Sequence, residues 1–117
     1  MASGLWSPIA VARIVATAVE TTPGVVSLHT GALGEIATYG GGTRVPGVVV
    51  GRGERAAVDV HVVAAMGRPL NALADEIRDR VARRLNAELP AATAMPVHVH
   101  VADVSTEASG ALTVSTP

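Results

Sequence analysis

Two alternating segments, Val58-Asp59-Val60-His61-Val62 and Val97-His98-Val99-His100-Val101, constrain this chain more than any other feature. Side chains alternate faces along a strand, so the valines form one dry surface while Asp59, His61, His98 and His100 share the other. The segments are separated by an amphipathic helical stretch, which places one sheet face on a core and leaves the opposite face polar. That polar face is the candidate interaction surface, made of Asp59, His61, His98 and His100.

The 117 residues suit one domain, and a chain this long buries roughly two-thirds of its unfolded surface. The core must be aliphatic: Phe is absent, and Trp6 and Tyr39 are the only aromatic residues. Nine basic residues, all Arg, against ten acidic ones give a net charge of -1, which argues against bulk nucleic-acid binding. The lack of cysteine excludes disulfides, thiolate metal sites and a cysteine nucleophile, and suits a reducing cytosol. The N-terminus lacks the basic and apolar regions of a secretory signal, and no apolar stretch of about 20 residues offers direct membrane insertion. A cytoplasmic protein is expected, with any membrane association made through a partner.

Ser7-Pro8 signals a helix start, and the helix runs to about Glu20 with Ile9, Val11, Ala12, Ile14, Val15, Ala18 and Val19 on a broad apolar face. Thr21-Thr22-Pro23-Gly24 ends it in a turn that needs positive φ at glycine, before a strand from Val25 to Thr30. Gly31 to Gly42 is weakly patterned and reads as a mobile loop. Val45–Val50 and the strand from about Ala56 to Ala64, joined by Gly51–Arg55, suggest an antiparallel hairpin. Met66-Gly67-Arg68-Pro69 leads into the second helix, whose Leu70, Leu73, Ile77, Val81, Leu85 and Leu89 form a stripe at three- and four-residue spacing. Pairs such as Glu76/Arg80 and Asp79/Arg83 mark its solvated face. Pro90 ends the helix, and Met95 to Asp103 forms the last strand.

The expected fold is therefore α+β: a small mixed sheet of three to four strands with two helices on one face, in the order α-β-β-β-α-β. Residues 1–7 are expected to be a flexible N-terminus, 8–104 the single domain, and 105–117 a tail that is disordered or ordered by a partner.

The chemistry is sparse. His61, His98 and His100, with Asp59, are candidate metal ligands, since histidines at i and i+2 on one strand face lie about 7 Å apart. Solvent-facing or interface histidines are the plainer reading of the same pattern. His29 has no paired ligand nearby in sequence and reads as structural or exposed. No nucleophile elbow accompanies these residues, and Gly40-Gly41-Gly42-Thr43-Arg44 lacks the lysine and following helix of a phosphate loop. No catalytic residue, cofactor or resident metal is expected, and the chain does not read as an enzyme.

Ile9-Ala10 in the first helix, Pro23-Gly24-Val25 with Leu28 beyond, Gly47-Val48, Val58–Val62, Gly67-Arg68-Pro69-Leu70 and the closing Val97–Val104 occur in a telling order. Over roughly residues 8–104 they resemble the alkaline shock protein family, envelope stress response proteins found mainly in Gram-positive bacteria. The resemblance implies a small α+β domain and a noncatalytic scaffold or interaction role at the cytoplasmic side of the cell envelope. It also implies a homo-oligomer and a small membrane-anchored protein partner. The lack of Lys and the Gly-rich segment around Tyr39 depart from the family pattern. The competing expectation, from another class, is a small-molecule- or metal-sensing regulatory domain that uses the histidine-bearing face.

Overall fold

A computed structural model describes residues 6–51, 53, 56–92 and 95–106. Helix α1, Pro8–Glu20, starts as its residues dictate: Ser7 Oγ accepts the Ala10 amide at 3.3 Å, with proline in the first turn. It is followed by β1 (Val25–Leu28), β2 (Ala37–Gly40), β3 (Thr43–Pro46), β4 (Val48–Val50) and β5 (Val58–Ala65). Helix α2 (Leu70–Glu88), a short 3₁₀ turn (Pro90–Ala92) and β6 (Val97–Ser105) complete the chain.

The main sheet is mixed and organised around β5. Strand β6 runs parallel along one side of it, an arrangement that the intervening α2 crossover makes possible. The other side is shared end to end by two antiparallel strands, β1 against the C-terminal half of β5 and β4 against its N-terminal half. The handover falls on His61: its carbonyl accepts the His29 amide at 2.7 Å, while its own amide donates to Gly47 O at 3.0 Å. The expected α+β class with a mixed sheet and an antiparallel β4–β5 hairpin is what the chain adopts.

The expected alternation of β5 is complete: Val58, Val60, Val62 and Ala64 are fully buried, and the residues between them are not. Beneath the valine face, Val11, Val15 and Val19 of α1 and Leu73, Ile77, Val81 and Leu85 of α2 close one continuous core. The ends of the α2 stripe behave differently, with Leu70 40% exposed in the first turn and Leu89 only partly buried. Thr22-Pro23-Gly24-Val25 closes as a turn, the Val25 amide donating to Thr22 O at 3.1 Å and Gly24 at φ 98°. Arg68 clamps this turn to α2. It donates to Pro23 O and, through Nη2, to Glu76 Oε1 at 3.1 Å, while Arg80 reaches the other Glu76 oxygen at 3.0 Å. Hydrogen bonds from Arg68 first, and Arg80 second, hold the Glu76 carboxyl below its ordinary pKa.

Two stretches depart from the sequence expectation. Gly31–Gly42 is not a plain loop, because Ala37–Gly40 forms β2 and turns back through Gly41 and Gly42 into β3 as a two-stranded ribbon. Arg44 fixes the ribbon, donating to Gly34 O at 2.7 Å and to its cross-strand neighbour Tyr39 at 3.3 Å. The apolar run Val45–Val50 is not one strand: Gly47 at φ 85° divides it, in a spot where a Cβ would stand 2.6 Å from Leu28 Cβ. Among the described residues the strand count accordingly rises to six, four in the main sheet and two in the ribbon.

The ribbon also seals β4. Gly47 and Gly51 bond toward β5, so the intervening Val48 carbonyl and Val50 amide point outward. Thr38, itself buried, meets both: its Oγ donates to Val48 O at 2.7 Å and accepts from the Val50 amide at 3.2 Å.

The N-terminal expectation falls mostly on residues 1–5, outside the described residues, although Trp6 packs against the core and Ser7 is the helix cap. The tail expectation falls mostly on residues 107–117, also outside them, while β6 itself extends to Ser105. The Gly51–Arg55 turn is described only at Gly51 and Gly53.

Candidate functional site

The polar face of the sheet is laid out by register. One row across the strands is Val49–Asp59–His98, since Val49 and His98 both pair with Asp59. The next is His29–His61–His100: His100 pairs with His61 from β6, and the His29 amide bonds His61 from the end of β1. Strand alternation thus places all four residues expected on this face together, and adds His29.

Asp59 and His100 form the fixed contact, with His100 Nε2 2.8 Å from Asp59 Oδ1. An ionised carboxylate can only accept, so the ring proton lies on Nε2. The His61 ring stacks on His100, centroids 4.5 Å apart and planes 14° from parallel. Partial burial lowers the His61 pKa below its ordinary 6.5. The neighbouring His100 and the more remote His29 act in the same direction, with Asp59 opposing them. His61 therefore keeps its neutral form to a lower pH than an ordinary imidazole does. His98 is exposed beside this pair.

The arrangement consists of a ring stack and one side-chain hydrogen bond. Stacked rings present faces to each other and do not aim their nitrogens at one point. Among the described residues, no group of three or more histidine, cysteine or carboxylate side chains could hold a metal ion. Nor does any described helix have the length and apolarity to cross a membrane.

Sequence reasoning missed two residues. His29 joins the face because β1 pairs with β5 in a register that sets Leu28 opposite Val62 and so His29 beside His61, although Ser27 and His29 already show the i, i+2 spacing of one strand face. Thr38 gave no signal beyond its place in the short Ala37-Thr38-Tyr39 alternation, and its role depends on a contact ten residues away.

The core strands, the Pro23-Gly24 turn, the Gly67-Arg68-Pro69 entry to α2 and the parallel histidine strand now stand together in one α+β unit. A family profile, that of the alkaline shock protein 23 family with a cell envelope-related function, matches residues 6–106. The chain belongs to this family. No curated protein and no solved structure matches it. Membership ties the chain to the cell envelope, and the matched span takes in the described α-helices and strands, from α1 to β6.

Proposed function

We propose that this chain is a noncatalytic envelope stress response protein that self-associates and serves as a scaffold on the cytoplasmic side of the envelope. A small membrane-anchored protein holds it there. The observation that carries this reading is the family match over residues 6–106. The histidine face supports it as a contact surface: Asp59, His61, His98 and His100 stand in two adjacent rows, and a 2.8 Å hydrogen bond and a ring stack hold Asp59, His100 and His61 together.

The test is cross-linking in intact cells followed by membrane fractionation. This reading expects the chain in the membrane fraction, cross-linked both to itself and to a small membrane protein, and released to the soluble fraction when that partner is removed. A chain that is soluble and uncross-linked in cells with an intact envelope contradicts it.

A further inference from the structure

Self-association as proposed above leaves unspecified which surface meets which, and the hydrogen-bond parity of β6 bears on that. The Val58 amide donates to Pro96 O at 2.9 Å, which fixes the phase of the parallel ladder. Alternate residues of a strand bond to the same neighbour, so His98 and His100 turn their main-chain groups toward β5. Val97, Val99 and Val101 then turn theirs outward, and among the described residues none of these three has a main-chain partner on that side.

Proteins blunt such edges with charge, proline, bulges or a covering segment. Strand β4 is covered by Thr38, and β1 is only four residues long with an irregular register between Val25 and Ser27. From Val97 to Val101, β6 contains only valine and histidine, and its own irregularity comes later, opposite Val62/Val63.

We propose that β6 pairs antiparallel with β6 of a second copy about a two-fold axis through Val99, making one continuous sheet from two. The outward set is symmetric about Val99, so Val97 meets the partner's Val101, Val99 meets the partner's Val99, and every outward donor finds an acceptor. The same register sets His98 opposite the partner's His100 on the polar face and valine opposite valine on the core side. Charge fits too. Four imidazoles meet at the joint, and behind each pair stands the Asp59 carboxylate already bonded to His100. With β4 sealed and β1 short, the pairing closes as a dimer and does not propagate as a fibre.

The test is light scattering after gel filtration at pH 8 on the full chain, with circular dichroism confirming that each variant is folded. Wild type is expected as a dimer. The double variant His98→Lys/His100→Lys opposes like charges at both cross-strand pairs and is expected as a monomer, as is His98→Glu/His100→Glu. An equimolar mixture of the two restores the dimer mass. Val99→Pro removes an outward amide that β5 does not use, and weakens association by about tenfold. Double variants that dimerise like wild type, or whose mixture stays monomeric, overturn this pairing and leave self-association through another surface standing. A wild-type chain that is monomeric at every concentration overturns both.

Discussion

Strands β4 and β6 flank the same central strand and finish differently. On β4, one buried hydroxyl satisfies both outward main-chain groups, Val48 O and Val50 N, and the chain leaves the main sheet between His29 and Gly47 to bring that hydroxyl there. On β6 the outward groups of Val97, Val99 and Val101 meet no such device among the described residues. Both strands are rich in valine, so composition does not separate them. What separates a sealed edge from an open one is a single side chain delivered by a ribbon.

The comparison depends on β5 staying fixed between the two edges, and Val60→Asp attacks that directly. Val60 is fully buried in the core, so the carboxylate has no partner there and the loss should exceed about 4 kcal/mol, enough to unfold a small domain. A cooperative melt near the wild-type midpoint would show that the valine face is not the core. A smaller effect is expected at the sealed edge. Thr38→Val keeps the shape but strands Val48 O and Val50 N, at a cost of about 1–3 kcal/mol measurable by urea denaturation. If stability is unchanged while aggregation rises, the hydroxyl protects the edge without stabilising the fold.

The pH response comes next. His61 has a folded pKa below its ordinary 6.5, so the unfolded chain takes up its proton first on acidification. Its contribution is full above about pH 6.5, declines as pH falls toward the folded value and is lost below it. Thermal melts between pH 7 and 5.5 should show this decline, and His61→Gln should flatten it. A steeper decline in the variant would reverse the assignment. The smallest effect belongs to exposed His98. His98→Ala should leave folding stability within about 0.5 kcal/mol by the same denaturation, because the side chain supports no core contact.

What the sequence disclosed follows from how locally each feature is encoded. The alternation of β5 and β6 and the helical spacing of Leu73, Ile77, Val81 and Leu85 are written in a few consecutive turns or residues, and the structure uses them as written. So is the Ser7-Pro8 helix start. The ribbon was hidden because its Ala37-Thr38-Tyr39 alternation is three residues long and runs into Gly40-Gly41-Gly42, residues that favour turns. Gly47 lay inside an apolar run, where only its close approach to Leu28 shows why the strand must break. For the candidate site, alternation alone put Asp59, His61, His98 and His100 on one face. Their grouping into Asp59–His100 and His61–His100 contacts required the parallel register, which no local pattern specifies. His29 needed the β1–β5 pairing as well.

The most direct test of the contrast between edges is amide hydrogen exchange at Val50 and Val99 across a protein concentration series. The Val50 amide, held by Thr38 Oγ within its own chain, should exchange slowly and independently of concentration. The Val99 amide should exchange fast in dilute protein and slow progressively as dimer forms. Fast exchange at Val99 at every concentration, in a sample that light scattering shows to be associated, would contradict the account.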